Sequence, residues 1–273
     1  MPELPEVETT RRGIQLYMQG KTVAGVVVRQ PKLRWPVPPD LARQLVGSRI
    51  VHIRRRAKYL LFEFAHGVML LHLGMSGSLR VYPDGSAPPP EKHDHFDIVT
   101  DDQTVLRLRD PRRFGAVLWF AGPAEQHPLL QHLGPEPLQD EFTAGYLKTA
   151  LSRRKSAVKT ALMDNKIVVG VGNIYANEAL FAAGILPIRR ADRVSAEECR
   201  RLVAEIRSVL QRALKAGGSS LRDFLHSDGQ SGYFQQQYQV YGREGEPCHQ
   251  CGTPIARQTI GQRSSFYCPQ CQR

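Results

Sequence analysis

The spacing of apolar and polar positions changes character along the chain and divides it into three stretches. From about Pro5 to Met18 the apolar positions recur at helical spacing, and Gly20 closes that helix. The chain then turns to short apolar or alternating runs rich in Val, Leu and aromatics: "KTVAGVVVRQ", "RIVHIRRRAKYLLFEF", "GVMLLHLGMSGSLRVYP", "HFDIVTDD", "TVLRLRD" and "GAVLWFAG". Gly, Pro and Asp punctuate these runs, and no helical segment separates them. Local antiparallel pairing into a sandwich or barrel is therefore predicted for residues 1–130. Within it, "PDGSAPPPEKH" (83–93) reads as a mobile loop.

From 131 to 150 the pattern becomes a linker and the start of a helical domain, which the sequence places over 151–236. Its clearest element is "SAEECRRLVAEIRSVLQRALKAGG". Ser195 and Glu198 have capping-box spacing, Cys199, Leu202, Val203, Ile206, Val209, Leu210, Ala213 and Leu214 form one apolar face, and Gly217–Gly218 stop the helix. Cys199 is thereby a core residue. A polar, glycine-rich stretch follows, then a cysteine-bearing module over 237–273. The fold class is α+β, with an antiparallel β domain, a helical domain and a small terminal module.

At 273 residues, length alone suggests about two domains. No run approaches the ~18 apolar residues of a membrane span, and the charged N-terminus lacks an apolar secretory region. A soluble, cytoplasmic protein without membrane contact is expected. The net charge of +11 is more informative, because 18 basic face 13 acidic residues up to position 130 and 19 face 13 beyond it. Neither half is merely a basic tail, which suits either a polyanionic partner such as nucleic acid or simple solubility.

Four of the five cysteines lie within the last 26 residues, as Cys248-x2-Cys251 and Cys268-x2-Cys271 separated by sixteen residues. This is not a secreted disulfide framework. Two such knuckles supply four thiolates for one tetrahedral ion. The hairpin-like intervening sequence favours structural Zn2+ over an iron–sulfur or redox role, with no open position for catalysis. Gln262, Arg263 and Ser264 fall near the hairpin tip, with Arg263 the candidate for phosphate contact, though such a hairpin also suits a protein partner.

Further basic residues interleave with apolar ones. In alternation, Arg54, Arg56 and Lys58 of "RRRAKYLL" share one strand face, either solvated or turned to an anion. In "RDPRRFGA", Arg112, Arg113 and Phe114 follow a proline turn, and an exposed Phe beside arginines suits a wedge in a base stack. Met75 stands between glycines in "HLGMSGSL", as a core residue or a projecting one. "SRRKSAVK" adds Arg153, Arg154, Lys155 and Lys159. In "MDNKIVVGVGNIYANE", Gly170 and Gly172 permit a tight backbone before Asn173 opens a helix; Asn173 reads as an N-cap or as part of a phosphate site at that helix start.

The opening "MPELPEVETT" completes the pattern. A helix start accounts for Pro5, Glu6 and Glu8 but not for Pro2 and Glu3. Taken together, "PELPEVE", "RRAKYLL", "HLGMSGSLR", "EKHDH", "DPRRFGA", "HLGPEPL", "MDNKIVVGVGNIYANE", "SDGQSGYF", "VYGREGEPC" and the cysteine hairpin resemble the bacterial formamidopyrimidine-DNA glycosylases over essentially the whole chain. The resemblance implies an N-terminal β-sandwich, a helix–two-turn–helix domain and a zinc finger, with DNA gripped between them. It implies base-excision repair of 8-oxoguanine and formamidopyrimidines, acting as a monomer on double-stranded DNA with oxidised purines or abasic sites, in the cytoplasm at the nucleoid.

Position by position, the resemblance makes Pro2 the nucleophile once Met1 is removed, its secondary amine forming an iminium with the sugar. Glu3 matches the proton donor, Lys58 the lysine of the lyase steps, and Arg263 the residue assigned to δ-elimination. His93, Arg112, Arg154 and Asn173 match DNA-contacting positions, and Met75, Arg112 and Phe114 the trio that fills the gap left by a flipped nucleotide. Cys248, Cys251, Cys268 and Cys271 hold the zinc. Residues 217–233 resemble the lesion-capping loop, with Ser219 and Ser220 where many members carry threonines. An endonuclease VIII-like pyrimidine glycosylase typically has glycine where Leu4 stands, and a non-enzymatic DNA-binding protein needs neither Pro2 nor Glu3. A catalytically silent damage sensor is the third alternative.

Overall fold

Helix α1 (Leu4–Met18) forms where the periodicity places it, with Pro5 at its second position and Glu6 in its first turn. Val7, Ile14 and Met18 are its buried stripe. The computed structural model describes residues 2–218 and 233–273. The expected lesion-capping loop lies, over residues 219–232, outside the described residues. The chain divides into two units, one containing residues up to Gln131 with Gly217, Gly218 and Tyr233, the other His132–Ala216 with Phe234–Arg273.

The first unit is an antiparallel β-sandwich. One sheet has the order β1-β6-β7-β5, from β1 (Val23–Val28), β6 (Asp94–Thr100), β7 (Val105–Arg109) and β5 (Ser78–Tyr82). The other has the order β2-β3-β4-β8, from β2 (His52–Arg56), β3 (Tyr59–Phe64), β4 (Gly67–His72) and β8 (Ala116–Phe120). Alternate positions Leu60, Phe62 and Phe64 of β3 and Met69 and Leu71 of β4 share a core with Phe96, Ile98, Leu106 and Leu108 of the other sheet. Val7, Ile14 and Met18 of α1 join that core, as do Leu41 and Leu45 of the short helix α2 (Leu41–Leu45). Residues 83–93 contain no regular element. Arg107 Nη1 ties this stretch down at the Pro88 carbonyl (2.8 Å), while its Nη2 pairs with Asp97 at 2.9 Å.

The second unit packs helices α3 (Ala144–Leu151), α4 (Val158–Leu162), α5 (Asn173–Ala182) and α6 (Ala196–Lys215) beside the hairpin β9 (Ala256–Ile260) and β10 (Arg263–Tyr267). The expected capping box opens α6: Glu198 N donates to Ser195 Oγ (3.2 Å) and Ser195 N donates to Glu198 Oε2 (2.8 Å). Cys199 is fully buried, and Gly217 and Gly218 leave the helix with φ of +73° and +79°. A smaller core under the hairpin joins Phe181 of α5 to Val240, Ile255, Phe266, Cys248 and Cys268.

Candidate functional site

Pro2 and Glu3 are both buried and stand immediately before α1, with Glu3 as the residue preceding its first turn. Glu3 N donates to Glu6 Oε2 at 2.9 Å, so the acid in the first turn fixes the backbone of its neighbour. The positive end of the α1 dipole points at Pro2 and Glu3. Gly218 lies against Glu6: a Cβ at that glycine would sit 3.1 Å from Glu6 Oε1, and its φ of +79° suits glycine alone.

Lys58 departs from the expected strand face. Strand β2 ends at Arg56, which pairs with Tyr59 of β3, so Ala57 and Lys58 form a two-residue hairpin turn with Ala57 at φ +54°. The turn breaks the alternation: Arg54 is exposed and paired with Glu63 and Glu125, whereas Lys58 is buried. Beside it is His72, which the sequence did not single out. The ring of His72 lies 4.9 Å from that of Tyr59, and its Nδ1 accepts the Gly74 amide at 2.9 Å. That bond leaves the proton of the neutral ring on Nε2. Burial, then the charges of Lys58 and Arg34, hold its pKa down at about 4.

Met75 is half-buried in the turn after β4, and Arg112, Arg113 and Phe114 are exposed in the turn before β8. The guanidinium of Arg112 lies 5.0 Å from the centre of the Phe114 ring. His93 is half-buried, edge-on to His95 at 6.3 Å, and its carbonyl accepts the Asp110 amide at 3.0 Å. The strand ends thus bring His93 and the arginine turn to one region of the first unit.

In the second unit Asn173 opens α5, but it is not the cap; Gly172 is, with no side-chain cap bond. Asn173 instead donates from Nδ2 to the Ser264 carbonyl (3.1 Å), and its buried Oδ1 has no hydrogen-bond partner among the described residues. A glycine cap leaves the asparagine side chain available for a long-range contact, which a sequence reading of helix starts does not register. Lys159 of α4 is 1% exposed and donates to the Ser264 carbonyl (2.9 Å) and Ser265 Oγ (2.6 Å). Asn177 Oδ1 accepts the Phe266 amide at 2.9 Å. Glu178 accepts the amides of Gln239, Val240 and Tyr241 at 2.8–3.0 Å, while burial pushes its carboxyl above the usual range. Neighbouring helices α4 and α5 therefore hold the hairpin at several points.

Arg263 begins β10 after the tight turn Gly261–Gln262, whose φ values are +55° and +62°. It is exposed and lines a pocket of about 370 Å³ with Arg154, Lys159, Thr160, Asp164 and Gly261. Arg154 reaches this pocket paired to Asp164 at 3.2 Å. Two of the expected DNA-facing cations thus share one concavity with a single carboxylate among its named lining groups.

The four cysteine sulfurs Cys248, Cys251, Cys268 and Cys271 lie within 4.8 Å of one another. Cys251 and Cys268 are 3.4 Å apart, and Cys248 and Cys271 3.9 Å. Four thiolates around zinc at about 2.3 Å stand roughly 3.8 Å apart, so the cluster fits one tetrahedral Zn2+. With every position filled by protein, the ion holds the hairpin and is structural.

Family models match all three parts of the chain: the formamidopyrimidine-DNA glycosylase N-terminal domain over residues 1–117, the H2TH domain of the same glycosylase over 133–225, and a zinc finger found in FPG and IleRS over 245–273. The formamidopyrimidine-DNA glycosylase of Neisseria meningitidis is 58% identical, and that of Escherichia coli 55%, each with both chains covered completely. The chain belongs to the formamidopyrimidine-DNA glycosylase family. Among solved structures, the MutM (Fpg) protein of Thermus thermophilus is 39% identical with a TM-score of 0.89, covering 99% of this chain and 98% of the other. A Lactococcus lactis FPG variant in complex with DNA containing Fapy-dG is 33% identical with a TM-score of 0.91, both chains covered completely. In this glycosylase the H2TH match spans Arg154, in the connection between α3 and α4, with Lys159 of α4 and Asn173 of α5, and the zinc-finger match spans Arg263 and all four cysteines. No helix among its described residues is long and apolar enough to cross a membrane.

Proposed function

We infer that the chain excises oxidised purines, 8-oxoguanine and formamidopyrimidines, from duplex DNA and then cuts the strand at the abasic site. The observation that carries the chemistry is the buried Pro2–Glu3 pair at the positive end of α1. With Met1 removed, the Pro2 nitrogen attacks C1′ with its lone pair, the damaged base leaves with the electrons of the N-glycosyl bond, and the Pro2 N–H proton passes to the departing base. Glu3 gives a proton to the ring oxygen as the sugar opens, which leaves a cationic iminium between Pro2 and C1′. The iminium draws electrons, so C2′ loses a proton and the 3′ phosphate departs in β-elimination. A second proton loss, at C4′, expels the 5′ phosphate in δ-elimination, and water releases the remaining sugar fragment from Pro2.

Lys58, buried in its hairpin turn, serves the lyase steps, and Arg263 serves δ-elimination. His93, Arg112, Arg154 and Asn173 contact DNA, with Met75, Arg112 and Phe114 occupying the space of the flipped nucleotide. The zinc keeps the Arg263 hairpin folded. Domain limits at 1–130, 151–236 and 237–273 with a 131–150 linker accompany this reading, as do a monomeric state and a cytoplasmic, nucleoid-associated location.

The test is borohydride trapping on duplex DNA containing 8-oxoguanine, followed by peptide mapping. A cross-link at residue 2, lost in Pro2→Gly along with excision, is expected. A cross-link at a lysine would remove Pro2 from the centre of the chemistry. Tight lesion binding with no adduct would replace the enzyme with a damage sensor.

A further inference from the structure

We propose that Asp110 is a positioning residue that locks the turns carrying Met75, Arg112 and Phe114 into one preformed wedge. The inference rests on the reading of those three side chains as the group that fills the emptied base stack. Asp110 is fully buried, and its two carboxylate oxygens serve different loops. Oδ1 accepts from Ser76 Oγ at 2.9 Å, in the turn that holds Met75. Oδ2 accepts from the Gly115 amide at 2.7 Å, directly after Phe114. The circuit closes at Arg112, whose amide donates to Ser76 Oγ at 3.2 Å.

The two loops touch closely enough that side chains are excluded between them. A Cβ on Gly74 would lie 2.4 Å from the Phe114 carbonyl carbon, and one on Gly115 would lie 2.9 Å from Asp110 Oδ2. Arg113, between the two wedge residues of its loop, has a φ of +56°. A non-glycine residue persists there only when its surroundings over-determine it. The Arg113 amide donates to the Asp110 carbonyl at 3.2 Å, and the Asp110 carbonyl also meets His95 Nε2 at 2.9 Å. Phe114 is nonetheless 44% exposed, an aromatic held out in a rigid frame with Arg112 against it. A wedge fixed before DNA arrives loses less conformational freedom on insertion than one that must order on contact.

Asp110→Asn retains size but offers only one acceptor oxygen. If that oxygen keeps the Gly115 amide, the new NH2 faces Ser76 Oγ and competes with the Arg112 amide. The experiment compares single-turnover excision of 8-oxoguanine opposite cytosine with excision of the same lesion in a one-nucleotide bulge, where no partner base holds it in the stack. For D110N the ratio of paired to bulged rates is expected to fall about ten-fold, the effect of losing one hydrogen bond to a charged buried group. An equal loss on both substrates, or no loss, overturns the proposal, since a purely structural role would not distinguish them. If D110N shows no cooperative melt, Ser76→Ala, which removes one joint, must lower the same ratio; an unchanged ratio overturns the proposal. Phe114→Ala separates the two levels. If it too lowers the ratio, the wedge reading stands and D110N decides the role of Asp110; if it leaves the ratio unchanged, the wedge reading fails and the proposal with it.

Discussion

Lys159 and Ser264 are 105 residues apart in sequence, yet the buried lysine Nζ donates to the serine carbonyl at 2.9 Å. The same Nζ holds Ser265 Oγ at 2.6 Å, and Asn173 Nδ2 shares the Ser264 carbonyl. The peptide next to Arg263 is thereby pinned to α4 and α5, so Arg263 departs from a fixed backbone although its side chain is exposed. Lys159→Met is expected to lower stability by about 1–3 kcal/mol, the penalty for leaving buried polar groups without their donor. On abasic-site DNA it should also raise the share of product stopped after β-elimination. Denaturant melts and gel separation of the two products check these outcomes.

Glu3 is separable from its place at the helix start. Glu3→Gln keeps a side-chain oxygen and leaves the backbone bond from its amide to Glu6 in place, so thermal stability should hardly change. Loss of the proton donor should reduce 8-oxoguanine excision by about 10²–10⁴-fold. Strand cleavage at preformed abasic sites, where the sugar already opens in solution, should fall less. Rates on the two substrates measured side by side test this.

The pKa of His72, held at about 4 against an ordinary 6.5, carries a stability signature. Below pH 6.5 the unfolded chain takes up a proton that the folded chain refuses, so stability falls as pH drops toward 4 and levels off below it. The slope in that window is up to about 1.4 kcal/mol per pH unit. His72→Gln should flatten the stability profile between pH 4 and 6.5 and leave it unchanged above pH 7, as read from urea melts across that range.

Removal of zinc should act on the hairpin selectively. The small core of Phe181, Val240, Ile255 and Phe266 shares its residues with Cys248 and Cys268, so the fold of this module depends on its thiolates being gathered. Cys251→Ser or chelation is expected to lower the zinc content and weaken DNA binding by at least about ten-fold, while the β-sandwich retains its circular-dichroism signal. Metal analysis with fluorescence anisotropy on a lesion duplex measures both. Unchanged affinity in zinc-free protein would contradict the structural role of the hairpin.

What the sequence determined by itself was local. The box joining Ser195 to Glu198, the apolar stripe from Cys199 to Ala213, the continuous apolar runs of β3 and β4 and the paired cysteines all express relations between residues a few positions apart. Such signals survive translation into structure because backbone geometry fixes which neighbours share a face. The tertiary structure decided where that geometry breaks or where partners are remote. Ala57, at positive φ, took Lys58 off the strand face and into a buried turn. Gly172 took the cap and left Asn173 for the hairpin. Asp110, His72 and Glu178 carry no local mark, and Lys159 reads only as one more cation of a basic run, since a polar residue becomes a hub only when folding buries it and forces its hydrogen bonds onto the groups brought against it.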